Sequence, residues 1–147
     1  MYYYYAFPSP DRQNNQLISD LETAMNGEFS AVQCYASLAQ MADDQNQKKQ
    51  ILEIREDEMK HLQIFSQIYT NITGTQFQPK MVEECPASYM EGLEAALKDE
   101  QETVDFYLGV SDRVTTGYIK EAFKRAAMDE QNHAVWFLYF FTKARGT

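Results

Sequence analysis

The stretch DEQNH at residues 129–133 places a glutamate three positions before a histidine, and the chain has only two histidines in 147 residues. The other one, His61, ends the stretch DEMKH at residues 57–61, which has the same arrangement. Residues three apart on an α-helix project to the same side, so each stretch presents a carboxylate together with an imidazole. A single Glu-x-x-His is usually a solvated pair, but its presence at both histidines indicates two matching sites.

The two stretches belong to a longer internal repeat. The histidines are 72 positions apart, as are the glutamates before them. The same offset aligns EFSAVQCY at 28–35 with EQETVDFY at 100–107, so that a glutamate opens each segment and a tyrosine ends it. Duplication of one helical hairpin is the economical explanation.

Apolar periodicity predicts four helices. The polar stretch 43–47 and the TTG at 115–117 are short breaks, whereas 71–86 contains a glycine and two prolines and cannot be one continuous helix. Short connections favour antiparallel neighbours, so we predict an all-α four-helix bundle of two antiparallel hairpins joined by a long crossover. The predicted helices run from about Asp11 or Leu17 to Ala42, from about Gln47 to Tyr69, from near Ala87, and from Tyr118 to about Lys143.

Composition restricts the partners. The net charge of −9 and the pI of about 4.6 argue against nucleic acid and anionic membranes, because phosphate binding needs clustered Lys and Arg. The longest apolar run, AVWFLYFF at 134–141, is far shorter than the roughly 20 residues of a membrane span. We therefore predict no nucleic-acid partner and no membrane partner, and we expect the protein to bind cations.

The length fits one domain that folds without needing a metal or a disulfide. We divide the chain into a tyrosine-rich N-terminal arm at 1–16 and a bundle at 17–147; the arm either docks onto a partner or lies over the protein's own surface. Cys34 and Cys85 lie far apart with no CxxC pair, which argues against a zinc knuckle, a rubredoxin-type iron site or a disulfide scaffold. Cys34 is expected to be an inert thiol, and the predicted location is a reducing, cytoplasmic one.

Six polar residues fall on the inward faces of the predicted helices. Glu28 lies between Met25 and Val32 in the apolar stripe of the first helix, and the repeat puts the third-helix glutamate in the same position. The Glu-x-x-His pairs interrupt the apolar faces of the second and fourth helices. Residues counted from the middle of the first short connection, at the helical rise per residue, place Glu28 and Glu58 within about 3 Å of each other along the bundle axis. The six are Glu28, Glu58, His61, Glu100, Glu130 and His133.

Four carboxylates cannot stay ionised in an apolar layer without cations, because each desolvated charge is costly and like charges repel. No Lys or Arg is predicted on the inward face near them, since periodicity turns Arg55 and Lys60 elsewhere. Two divalent metal ions would supply the missing positive charge. Four carboxylates with two imidazoles suit iron or manganese and leave positions open for oxygen species.

In the order of these motifs the chain resembles the ferritin-like superfamily of di-iron carboxylate proteins, in which two helices each supply a Glu and two others a Glu-x-x-His. The likeness covers roughly residues 17–143 and is closest to rubrerythrin-like proteins of the erythrin type, which lack a rubredoxin module. It implies two metal ions, with iron favoured over manganese, and a homodimer. It also implies that Glu58 and Glu130 bridge the metals, and that the terminal ligands are Glu28, Glu100, His61 and His133.

The resemblance extends to four neighbouring residues. Asp57 and Asp129 match carboxylates that accept a hydrogen bond from a ligand histidine of the opposite hairpin, which would fix its tautomer; otherwise they are solvated helix residues. Tyr35 and Tyr107 match tyrosines that touch ligand carboxylates; otherwise they are core aromatics.

Two departures bear on the activity. Rubrerythrins of the peroxidase type carry a further ligand glutamate where this chain has Thr103, and usually a four-cysteine rubredoxin module that this chain does not have. Electrons would then come from an external donor. We expect an oxidoreductase acting on hydrogen peroxide or dioxygen, as a peroxidase, an oxidase or a catalase-like enzyme. The alternative is a non-catalytic metal-binding or structural protein of a larger assembly.

Overall fold

Four helices make up the fold of the computed structural model, which describes residues 10–146. α1 packs along α2 and α3 along α4, and the hairpins meet where α1 faces α3 and α2 faces α4. The predicted all-α bundle of two hairpins and a crossover is confirmed. Within the described residues, none of the helices combines the length and the apolar character of a membrane span. The helices are α1 Pro10–Met41, α2 Gln45–Thr73, α3 Tyr89–Arg113 and α4 Gly117–Arg145.

The start of α1 agrees with the earlier of its two predicted positions. The helix begins at Pro10, a residue type that suits a first turn because its fixed φ is helical and its missing N–H has no partner there in any helix. Residues 10–16 of the predicted N-terminal arm are therefore helical. Residues 1–9 of that arm, with its four tyrosines, lie outside the described residues, so the arm's role stays a prediction.

Local sequence sets the ends of the middle helices. Asp44 caps α2, since its carboxylate accepts hydrogen bonds from the backbone N–H groups of Asn46 and Gln47 at 2.8 and 3.0 Å. Gly74 ends α2 in the left-handed conformation (φ 73°), which costs a glycine little. Ser88 caps α3.

The apolar core is divided into two clusters. One is built around Leu21, Phe65 and Phe123, and the other around Leu38, Ile54 and Phe137. In every helix the two sets of core residues are separated by a stretch that carries the predicted polar residues. The polar layer therefore lies across the middle of the bundle, with apolar side chains on both sides.

The crossover between α2 and α3 runs along α1 and is hydrogen-bonded to it. The backbone N–H of Lys80 donates to the side-chain oxygen of Asn26 at 2.9 Å, and that of Val82 donates to the hydroxyl of Ser30 at 3.1 Å. These α1 residues are one turn apart, and the next turn carries Cys34.

The two cysteines form a disulfide, so the expectation of separate thiols was wrong. The Cα atoms of Cys34 and Cys85 are 5.2 Å apart although 51 positions separate them in the chain. The error arose because the absence of a CxxC pair says nothing about cysteines brought together by tertiary structure. The bond ties α1 to the last part of the crossover.

Candidate metal centre

The six inward-facing residues meet in one buried cluster at the middle of the bundle. The structure places them in two groups of four, and in each group one possible ligand atom per residue lies within 4.8 Å of the others. Glu58 and Glu130 belong to both groups. The other members are Glu28 and His61 in the first group, and Glu100 and His133 in the second.

Each histidine contacts an aspartate of the opposite hairpin. Nε2 of His61 lies 2.9 Å from Oδ2 of Asp129, and Nε2 of His133 lies 2.9 Å from Oδ2 of Asp57. A carboxylate at Nε2 keeps a proton there, so Nδ1 is the nitrogen that would give up its proton to bind a metal ion. In both rings Nδ1 faces the cluster, at 3.1 Å from Glu130 for His61 and 2.9 Å from Glu58 for His133.

The two tyrosines each donate to a glutamate of the other hairpin. The hydroxyl of Tyr35 donates to Oε1 of Glu100 at 2.6 Å, and the hydroxyl of Tyr107 donates to Oε1 of Glu28. Burial, followed by the nearby glutamates, raises the pKa of both phenols well above the usual range, so they stay protonated donors. The two pairs correspond to each other: Tyr107 lies 72 positions after Tyr35, and Glu28 lies 72 positions before Glu100.

Several oxygen and nitrogen atoms of the cluster are buried without a hydrogen-bond partner among the described residues. Such atoms are rare in folded proteins, because burying an unpaired polar group is costly. In Glu28 and Glu100 the tyrosine occupies Oε1, and it is Oε2 that is left. The atoms without a hydrogen bond are Oε2 of Glu28 and Glu100, Oε1 of Glu58 and Glu130, and Nδ1 of His133. Nδ1 of His133 and Oε1 of Glu58 are 2.9 Å apart, but they do not have the geometry of a hydrogen bond. This donor set fits divalent cations, which would satisfy all five atoms at once.

The electrostatics of the cluster reflect its surplus of carboxylates. Burial, with the neighbouring glutamates adding to it, raises the pKa of Glu58 and Glu130 well above the usual range. Burial disfavours charged His133, but Glu100 and the other nearby carboxylates raise its pKa to about 9. Glu58 and Glu130 are thus costly as anions here, and a divalent cation would compete with protons for them.

The basic residues near this level face away from the cluster, as predicted. Nε of Arg55 donates to the backbone oxygen of Val32 at 2.8 Å, and Lys60 is exposed. Arg125 contacts Asp129 at 3.2 Å but lies mostly in solvent. The cluster is therefore not neutralised by these side chains.

A cleft of about 220 Å³ between α1 and α3 reaches the cluster. All four cluster glutamates line it, together with Val82 of the crossover. At this volume the cleft has room for several water-sized molecules.

Sequence reasoning missed Asp99, which lines this cleft. Burial, with Glu83 and Glu100 nearby, raises the pKa of Asp99 to about 7. Neighbours on a helix are about 100° apart, so periodicity put Asp99 outside the inward stripe that contains Glu100. Asp99 and Thr103 are four positions apart, so they lie on the same side of α3, and both line the cleft. This spacing is the signal in the sequence that could have identified Asp99.

Comparison with known proteins relates the chain to one family and one fold. The family model described as rubrerythrin matches residues 91–147. A curated relative, the uncharacterized protein YhjR of Bacillus subtilis (strain 168), is 54% identical over 139 residues, and the match covers 95% of this chain and 96% of YhjR.

Two solved structures share the fold at low sequence identity. The bacterioferritin of Desulfovibrio desulfuricans, studied for its diiron site in different catalytic states, has a TM-score of 0.82 and 17% identity; the match covers 95% of this chain and 86% of that one. A hypothetical protein from Pyrococcus furiosus has a TM-score of 0.75 and 20% identity, covering 86% and 88%. At these identities the likeness is one of fold.

Proposed function

The chain belongs to the rubrerythrin-like proteins of the ferritin-like superfamily, together with YhjR, and on that premise we propose that it is a dinuclear metal oxidoreductase acting on hydrogen peroxide or dioxygen. We propose two iron ions as the cofactor, with manganese as the second choice. Reduction of an oxidant in this way needs electrons from an external donor.

One observation carries the proposal: Glu58 and Glu130 belong to both groups of four possible ligand atoms. Two metal ions held by this cluster would share these two carboxylates, with Glu28 and His61 completing one set of ligands and Glu100 and His133 the other. The five unpartnered buried atoms support the same assignment. The terminal ligands in this proposal are Glu28, His61, Glu100 and His133.

When bound, two iron ions would supply the pair of one-electron changes that cleavage of an O–O bond requires. The residues around them prepare the site. Asp57 and Asp129 hold the proton on Nε2 of each histidine and so direct Nδ1 inward. Tyr35 and Tyr107 orient the terminal carboxylates, and the apolar clusters on both sides exclude water except through the cleft.

The size of the cleft supports a small oxidant. It reaches all four glutamates, so hydrogen peroxide or dioxygen can approach the side of the cluster between α1 and α3. Thr103 lines this cleft where peroxidase-type rubrerythrins have a further ligand glutamate. The side chain of Thr103 is smaller than that of a glutamate, so this ligand position would stay free on the cleft side of the cluster.

The function is tested by counting metals and measuring turnover. We expect purified protein loaded anaerobically with iron(II) to hold two ions per chain and to consume peroxide or dioxygen when a reductant is supplied. Oxygen release from peroxide without a reductant would identify catalase-like dismutation. Two bound metals with no reaction toward either oxidant would contradict the enzyme and leave a non-catalytic metal-binding or structural role.

The contacts between histidine and aspartate predict that loss of the aspartates weakens metal binding without abolishing it. Replacing Asp57 and Asp129 with asparagine should weaken metal binding by about 10- to 100-fold, because partners that orient a ligand imidazole contribute that much. Titration of the apoprotein with iron(II) or cobalt(II) measures the change. Replacement of Glu53 and Glu121, exposed carboxylates on the same helices, with glutamine is the control and should leave affinity unchanged. Equal affinities for both double variants would show that the aspartates are only solvated helix residues.

Two further proposals accompany the function. The homodimer implied by the resemblance is checked by sedimentation equilibrium of the purified chain. The cytoplasmic location is checked by fractionation of cells that express it. Absence of nucleic-acid and membrane partners remains our expectation from the charge of −9.

A further inference from the structure

The disulfide between Cys34 and Cys85 lies next to the residues that line the cleft. Cys34 directly precedes Tyr35, whose hydroxyl donates to Glu100 at 2.6 Å. Cys34 and Tyr35 also line a smaller cavity of about 70 Å³, which shares Tyr35 and Asp99 with the cleft. One peptide unit and one side chain therefore connect a cysteine to a glutamate of the cluster.

The disulfide also lies outside the apolar core. Cys34 and Cys85 are both half-buried, and Cys34 lines the smaller cavity, so a small thiol that enters this cavity would reduce the bond by exchange. The helices do not depend on the bond for their packing, because each hairpin is held by residues of the two apolar clusters. The bond can thus open and close while the bundle stays folded.

The proposed reaction requires two electrons per peroxide, and the chain has no rubredoxin module to deliver them. We propose that Cys34 and Cys85 form a redox-active dithiol/disulfide couple that supplies the two electrons and two protons for reducing one hydrogen peroxide at the six-residue cluster. This inference rests on the proposed function. It assigns the electron source to the chain itself, with external thiols as the donors that restore it.

The step balances in atoms and electrons. Two S–H bonds and the O–O bond of one peroxide break, one S–S bond and two O–H bonds form, and two water molecules leave. Each sulfur loses one electron, and both electrons would reach the oxygen atoms of peroxide through the iron ions that the cluster would hold. Two equivalents of an external thiol then reduce the disulfide and are themselves oxidised to a disulfide. A reducing compartment keeps such a couple as the dithiol between turnovers.

The couple is tested by stoichiometry in the absence of any added reductant. Wild-type protein is reduced, freed of reductant under argon and loaded with two iron(II) ions per chain. It should consume two peroxides per chain, one from the iron electrons and one from the thiols. Alkylation and mass spectrometry should then find both thiols lost. The double variant Cys34→Ser/Cys85→Ser, treated identically, should consume one peroxide.

Two further arms separate the possible failures. Reduced protein without metal should lose its thiols at least about tenfold more slowly, because an ordinary cysteine is only a few per cent thiolate at pH 7. Its helical circular dichroism should match that of the oxidised form. If loaded wild type consumes one peroxide and keeps both thiols, or loses them no faster than the metal-free protein, the couple is wrong and the proposed function stands. If loaded wild type consumes no peroxide, both are wrong.

Discussion

Replacing Glu58 and Glu130 together with glutamine is expected to abolish tight metal binding, reducing two ions per chain to none. Each group of four possible ligands would lose two of its three carboxylates, and an amide oxygen is a much weaker ligand for iron(II) or manganese(II) than a carboxylate. At a metal concentration 1,000 times the Kd, wild type should gain about 4 kcal/mol of stability for each ion bound, and the variant should gain almost nothing. Metal analysis and chemical unfolding with and without iron(II) measure both effects.

The metal-free form of the same variant should be no less stable than metal-free wild type. The substitution replaces two buried carboxyl groups, whose ionised forms are disfavoured by burial and by the neighbouring glutamates, with neutral groups of similar volume. The new amides can also donate to the unpartnered oxygens of Glu28 and Glu100. This result would separate loss of a site from loss of the fold.

The matched control replaces Glu56 and Glu121 with glutamine. Both are exposed glutamates, on α2 and α4, so the same change in charge occurs outside the cluster. The control should keep two metals and the full gain in stability. Retention of two metals by the Glu58/Glu130 variant would refute the assignment of these residues as shared ligands.

Removal of the disulfide should lower the free energy of unfolding of the metal-free protein by about 4 kcal/mol. Cys34 and Cys85 are separated by 51 positions, and closing a loop of that length in the unfolded chain accounts for about that much in the chain-entropy description. Urea unfolding of oxidised wild type against the variant Cys34→Ser/Cys85→Ser measures the loss. The folded variant should keep its helical circular dichroism at 25 °C.

Reduction provides the control for this prediction. Adding a thiol reductant should lower the midpoint of wild type to that of the variant and leave the variant unchanged. Equal midpoints for oxidised wild type, reduced wild type and variant would contradict a stabilising disulfide. The experiment is done without metal, so that binding at the cluster does not add to the measured difference.

Most of the fold could be predicted because its signals are local. Apolar residues at helical spacing mark all four helices, and the predicted connections at 43–47 and 115–117 coincide with the two short breaks. The helix ends differ by a few residues, since Asp44 and Gly74 set the ends of α2 through cap contacts that periodicity does not contain. For the same reason, periodicity placed the first residue of α1 only between Asp11 and Leu17.

The composition of the cluster was also predictable. Helical geometry, counted from the first short connection, is enough to bring Glu28 and Glu58 to one height and to turn them inward, and the same spacing 72 positions later applies to Glu100 and Glu130. Their role as metal ligands stays a prediction, which the experiments above test. Asp57 and Asp129 could be named only through the resemblance, because their partners are on the opposite hairpin and no local pattern relates them.

By itself, then, the sequence determined the four helices and the six polar residues of the inward faces, because each depends on neighbours within a few turns. Only the tertiary structure decided the rest: which aspartate meets which histidine, which glutamate atoms remain unpartnered, and that Cys34 meets Cys85. These depend on how the crossover climbs α1 and how the hairpins face each other. Contacts across such separations are set by packing of the whole bundle, which no short stretch encodes.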